Sequence, residues 1–129
     1  MECLVDSIEF LNFSKKIMGL NPIEEIDYRQ VVGRSYYCAF HQLKEKAKTL
    51  GIPVDAYAGG THSTVVKTIA SHKPRNTALI GLAYKVNAFH SSRVLADYKL
   101  EKPVSEVMAN EAIKKCEEIL IEISKISSL

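Results

Sequence analysis

The chain has 129 residues, 47% of them hydrophobic and 25% charged, the composition of one ordinary globular domain. That excludes a disordered, low-complexity or collagen-like chain, and no apolar run approaches the roughly 18 residues needed to cross a membrane. The net charge of +2 hides an asymmetry: from Arg29 to Arg93 there are ten bases and two acids, a local +8, and His41, His62, His72 and His90 all fall in the same stretch.

Five helical segments and no strand are expected. The first runs from Cys3 to about Gly19, with Leu4, Val5, Ile8, Leu11, Phe13, Ile17 and Met18 spaced by three and four. The second runs from about Pro22 to Leu50, with Val32, Tyr36, Ala39 and Leu43 as its inward stripe. Gly33 inside it costs about 1 kcal/mol of helix propensity relative to Ala, so a close neighbour is expected there. Gly51-Ile52-Pro53 ends the helix in the glycine-then-proline order. After a loop from Val54 to Gly60, Thr61 or Ser63 caps a short helix to about Ser71, with Val65, Val66 and Ile69 inward. The fourth starts at Asn76-Thr77 and reaches about Tyr98, burying Leu79, Leu82, Val86 and Phe89. The last spans about Ser105 to Ser127, its period carried by Val107, Ala112, Cys116, Ile119, Ile123 and Ile126. A single all-α domain over residues 1–129, an up-and-down bundle, follows.

Cys3, Cys38 and Cys116 are odd in number and lack paired spacing, which suggests neither a disulfide framework nor a zinc site. With no basic segment before an apolar one at the N-terminus, a cytoplasmic location is expected and no membrane partner. No phosphate-loop, HExxH or CxxC motif occurs, so neither cofactor nor metal is expected.

The chemistry-bearing residues lie on the second helix, on the side away from Val32 and Tyr36. Arg34, Tyr37, His41, Lys44 and Lys48 recur at three and four. Arg34 and His41 are seven apart and differ by about 20° around the axis, so their side chains can converge on one ligand. A guanidinium forks onto phosphate oxygens and keeps its proton; an imidazole exchanges one near neutrality. The pair would suffice to cut RNA without a metal, the 2′-hydroxyl being the nucleophile; equally, it could be an Arg and a His hydrogen-bonded at a helix seam. The lysines either grip the RNA backbone or solvate the helix end. On the fourth helix, His90, Arg93 and Asp97 stand at i, i+3 and i+7, followed by Tyr98. Arg93 and Asp97 can form an i,i+4 ion pair that orders the helix end, or Asp97 can aim Arg93 at a phosphate.

Three stretches, Arg34-Ser35-Tyr36-Tyr37-Cys38-Ala39-Phe40-His41, Gly60-Thr61-His62-Ser63-Thr64-Val65-Val66 and Arg93-Val94-Leu95-Ala96-Asp97-Tyr98, resemble in order and spacing the HEPN superfamily, over roughly Ile8 to Ile123. The resemblance implies a helical bundle that dimerises, with its groove on the two-fold. It implies a metal-independent endoribonuclease with an Arg-x(4–6)-His motif, a toxin of a toxin–antitoxin pair or a phage-defence effector. Arg34 and His41 fit that formula with six residues between them, and would be catalytic. Tyr37, Lys44, Lys48 and Arg93 would hold RNA, with His90, Asp97 and Tyr98 in support. In many active members the motif lies in the later long helix; here Tyr98, not a histidine, follows Arg93 at that spacing. Other members are non-catalytic partners of a separate nucleotidyltransferase, which is the alternative.

Overall fold

The computed structural model describes residues 5–55 and 62–126. Among them are five helices and no strand: α1 (Ile8–Met18), α2 (Glu25–Thr49), α3 (His62–Ser71), α4 (Thr77–Tyr98) and α5 (Glu106–Ser124). The chain is an all-α bundle, and none of its described helices is long and apolar enough to cross a membrane. The expected helix start at Cys3, the Thr61 cap, the loop beyond Asp55 and the helix end at Ser127 lie outside the described residues.

Caps set the observed boundaries. α1 begins at Ile8, later than the period predicts, because the Asp6 carboxylate accepts from the Ile8 N–H and the Glu9 carboxylate accepts from the Asp6 N–H, each at 3.0 Å. Val5 therefore lies before the helix, 54% exposed. α2 begins at Glu25 rather than Pro22, since the Glu24 N–H donates to Asp27 at 2.8 Å in a reciprocal cap. Its C-terminus closes as the glycine predicts. Gly51 has φ +80°, its N–H donates to the Lys48 carbonyl, and the Ile52 N–H reaches back to Ala47, both at 3.0 Å. Asn76 and Ser105 cap α4 and α5 through side-chain oxygens that accept from Leu79 and Met108.

α2 is the axle of the bundle and touches each of the other four helices. Its inward residues Val32, Tyr36, Ala39 and Leu43 join Leu79, Val86 and Phe89 of α4, Val65 and Ile69 of α3, and Cys116, Ile119 and Ile123 of α5 in one core. Val107, expected inward on α5, is 64% exposed, and Ala109 takes the buried position on that turn. Phe13 is likewise half exposed at 49%, because α1 turns Leu11, Ser14 and Ile17 to the core instead.

Two polar devices fix how α2 meets its neighbours. The Ser35 hydroxyl donates to Ser14 at 3.1 Å and Ser14 to the Val31 carbonyl at 3.2 Å, so α1 and α2 approach through small, satisfied side chains. At the other end Arg29, 4% exposed, sends its guanidinium to the C-terminus of α4, where it donates to the carbonyls of Leu95, Ala96, Lys99, Leu100 and Lys102 while its Nε donates to Glu25. Carbonyls at a helix end have no intrahelical partner, and one buried arginine supplies them here.

Candidate functional site

The face of α2 turned toward α4 and the start of α1 carries Arg34, Tyr37 and His41. Arg34 and His41 both lean on the Tyr37 ring. The Arg34 Cζ lies 5.8 Å from the ring centre, and the His41 ring stacks at 5.9 Å and 12°. The sequence pattern placed a ligand between these two side chains; the phenol ring is what they share. Arg34 is half-buried, donates to Gln30 at 3.3 Å, and forms no ion pair with a carboxylate among the described residues.

α4 brings a second guanidinium to the same ring. Arg93 lies 5.2 Å from the centre of Tyr37 and its Nη2 donates to the Tyr37 hydroxyl at 3.2 Å. Its Nε donates to Asp97 at 2.8 Å, so the i,i+4 pair expected from the sequence forms. Tyr98, 67% exposed, sits with its ring centre 5.7 Å from Arg93. Gly33 explains how α2 and α4 come so near: a Cβ there would stand 3.3 Å from an Asp97 carboxylate oxygen. The close neighbour expected for that glycine is the residue that orients Arg93.

Beyond Arg93 the strip continues through residues that the helical stripe does not single out. Tyr36 belongs to the core as expected, 2% exposed, yet its hydroxyl donates to Nδ1 of His62. The other nitrogen of His62 lies 2.9 Å from the Asn87 side-chain oxygen, to which it donates. His90 stacks on His62 with ring centres 4.1 Å apart and 16° between planes. His62 falls in one of the three stretches that carry the family resemblance, but its partner Asn87 is legible only once α3 is laid on α4. Phe10, 6.3 Å from His41 and 17° off parallel, is the contribution of α1.

Electrostatics divide these groups. Burial, then the neighbouring Lys44, lowers the pKa of His41 below its usual value, with Glu45 opposing. Burial, then His62 and Arg93, lowers that of His90. Both imidazoles are thus neutral at pH 7, each ready to accept a proton. Burial pushes the Tyr36 phenol up, so it stays a donor. Lys44 and Lys48, expected to grip a backbone, both reach Asp55, at 2.9 and 3.0 Å, and Lys48 also faces Glu45 at 3.7 Å. Their charge is largely answered within the fold.

Among the described residues no three of His, Cys, Asp and Glu are grouped so as to hold a metal ion. The strip offers instead two guanidiniums, a neutral imidazole on the same ring as both, and the rings of Phe10, Tyr37 and Tyr98. That equipment suits an anion attached to flat rings: guanidiniums fork onto phosphate oxygens, and phenols and imidazoles stack on bases. Comparison with protein-family models, with characterised proteins and with solved structures yields no match.

Proposed function

We propose that this chain binds RNA along the Arg34–Tyr37–His41–Arg93 strip and cleaves it by a metal-independent transesterification, as the HEPN resemblance implies. The observation that carries the reading is Arg34. It is a half-buried guanidinium with no carboxylate partner among the described residues, resting on the same ring as a neutral imidazole. In the reaction the His41 imidazole takes the proton of a ribose 2′-hydroxyl. The 2′-oxygen forms a bond to phosphorus, and the bond from phosphorus to the 5′-oxygen breaks. The leaving 5′-oxygen is protonated by solvent, and the products are a 2′,3′-cyclic phosphate and a 5′-hydroxyl end. Arg34 holds the non-bridging oxygens as charge grows on them, with Arg93 steered by Asp97 onto the neighbouring phosphate.

The reading includes a homodimer. Ile26, Tyr98 and Leu100, at 56%, 67% and 73% exposure, are large apolar side chains near the Arg34–Asp97 cleft, and a second copy covering them would bring two Arg34 side chains toward one groove. The biological role proposed is that of toxin or effector in a toxin–antitoxin or phage-defence system.

Purified chain is incubated with several RNAs in excess EDTA. Cleavage to cyclic-phosphate ends is expected, reduced by about 100-fold or more in His41→Gln and Arg34→Ala. Absence of product, or full activity in either variant, refutes the ribonuclease. A second reading, a non-catalytic RNA- or nucleotide-binding partner of a separate nucleotidyltransferase, is favoured by the ion pair that already occupies Arg93. It predicts normal growth of cells expressing the chain. The toxin reading predicts arrest that His41→Ala relieves.

A further inference from the structure

Between the start of α1 and the middle of α2 lies a half-open pocket of about 460 Å³, whose lining includes Asp6, Ser7, Phe10, His41, Gln42 and Glu45. Its walls differ in character. One is aromatic: Phe10 and His41 lie within 17° of parallel. The other is polar, formed by Asp6, Ser7, Gln42 and Glu45, two of which are carboxylates. The Gln42 amide nitrogen donates to the Ser7 hydroxyl oxygen at 2.7 Å, which holds the amide in one orientation. One Asp6 oxygen is occupied in capping α1. The Glu45 carboxylate is 63% exposed and has Lys48 at 3.7 Å, too far for a hydrogen bond to fix it.

Among the described residues that line this pocket none is cationic and two, Asp6 and Glu45, are carboxylates, which disfavour a phosphate. A flat ring that brings N–H donors is what it fits. His41 lines it and also stands on the Tyr37 ring beside Arg34, so a nucleotide whose phosphate lies along Tyr37 would have its base here. A carboxylate presents two oxygens side by side and only accepts. Guanine alone among the four bases presents two adjacent donors on its Watson–Crick edge, N1–H and the 2-amino group.

We propose that this pocket is a base subsite selective for guanine, with Phe10 and His41 stacking on the ring and Glu45 accepting from N1–H and the 2-amino group. The proposal rests on the RNA reading for its ligand class, and nucleotide binding tests it apart from cleavage.

The full chain is titrated with 3′-GMP, 3′-IMP and 3′-AMP, by calorimetry or by following the His41 ring resonances. Binding of 3′-GMP is expected at least 10-fold tighter than that of 3′-IMP, which lacks the 2-amino group. Glu45→Gln should bring the two within about 2-fold while leaving thermal unfolding unchanged, because the side chain is exposed. Phe10→Leu should weaken all three nucleotides together. Equal affinity for the three overturns the proposal, as does tighter binding of L-argininamide, which would assign the pocket to a cationic side chain of a protein partner. Selective 3′-GMP binding without RNA cleavage supports the subsite and refutes the ribonuclease. Cleavage with no guanine preference, beside unselective nucleotide binding, refutes the subsite alone.

Discussion

Arg29→Met removes the guanidinium that closes the end of α4 while keeping most of the aliphatic stem. The wild-type side chain uses all three of its nitrogens: Nε on Glu25 at 3.0 Å, Nη1 on the carbonyls of Leu95, Ala96 and Lys99, and Nη2 on those of Leu100 and Lys102. Not all of these bonds are costly to lose. Lys99, Leu100 and Lys102 are exposed and Glu25 is half exposed, so their oxygens regain water. The Ala96 carbonyl, on a residue 2% exposed and bonded at 3.0 Å, does not. A buried acceptor left unsatisfied costs about 1–3 kcal/mol, and loss of the charge-assisted bonds at the rim adds about 1 kcal/mol. The expected loss is therefore about 3 kcal/mol, a large share of the roughly 5–15 kcal/mol that holds a domain together. Urea unfolding should show it as a midpoint lower by about 1–2 M with an unchanged slope. Hydrogen exchange should quicken in the last two turns of α4, which carry Arg93 and Asp97. A loss below about 1 kcal/mol, or unaltered protection there, would refute the assignment of Arg29 as the cap of α4.

Gly33→Ala should leave the unfolding temperature equal or raised, since about 1 kcal/mol of helix propensity is gained and the exposed Asp97 carboxylate can yield the 3.3 Å contact; RNA affinity should fall as Arg93 loses its guide, and a drop of several degrees would contradict this. Because His41 and His90 titrate lower in the folded chain than in the unfolded one, the unfolded state binds more protons as pH falls, so stability present above about pH 6.5 is lost on acidification. Urea midpoints at about pH 7.5 and 5.5 check this, and His41→Gln should shrink the difference between them. Asp55→Asn releases Lys44 from its ion pair, and if the lysines lie on the RNA path the plot of log affinity against log salt steepens by about 0.7 for each phosphate newly contacted; an unchanged slope makes them spectators. Cys38 and Cys116 are fully buried, and the hydrogen bond between the two thiols, then burial, pushes Cys116 up, so a Cys3→Ser chain should react with a thiol reagent only on unfolding.

The helices were legible because their apolar residues keep a 3.6 period and because Asn76, Ser105 and Gly51 punctuate them with side chains whose capping chemistry is local. The same locality exposed the Arg93–Asp97 pair and the tightness at Gly33. Three features escaped it. The start of α1 depends on Asp6 and Glu9 exchanging bonds, a choice that competes with the apolar Val5 just before. Arg29 falls three before Val32 and seven before Tyr36, on the buried stripe itself. A charge in that register signals an internal cap, but its carbonyl partners are some seventy residues away. Lys44 and Lys48 look like free cations on a helix, and only the turn at Gly51 brings Asp55 back onto them.

That last point alters what the basic middle of the chain means. A local charge of +8 suggests a broad cationic face, to which any polyanion would adhere. In the folded chain Arg29 is spent on carbonyls and Glu25, Lys44 and Lys48 on Asp55, Lys85 on Glu122, and Arg93 on Asp97. Surface ion pairs of this kind lower the long-range field more than they stabilise the fold. What remains at the strip is Arg34, set among rings rather than among other cations. A site with one uncompensated guanidinium and several aromatic planes draws little from non-specific attraction. If the strip binds RNA as proposed, stacking on its rings and the fork of Arg34 on a phosphate have to carry more of the affinity than diffuse charge does.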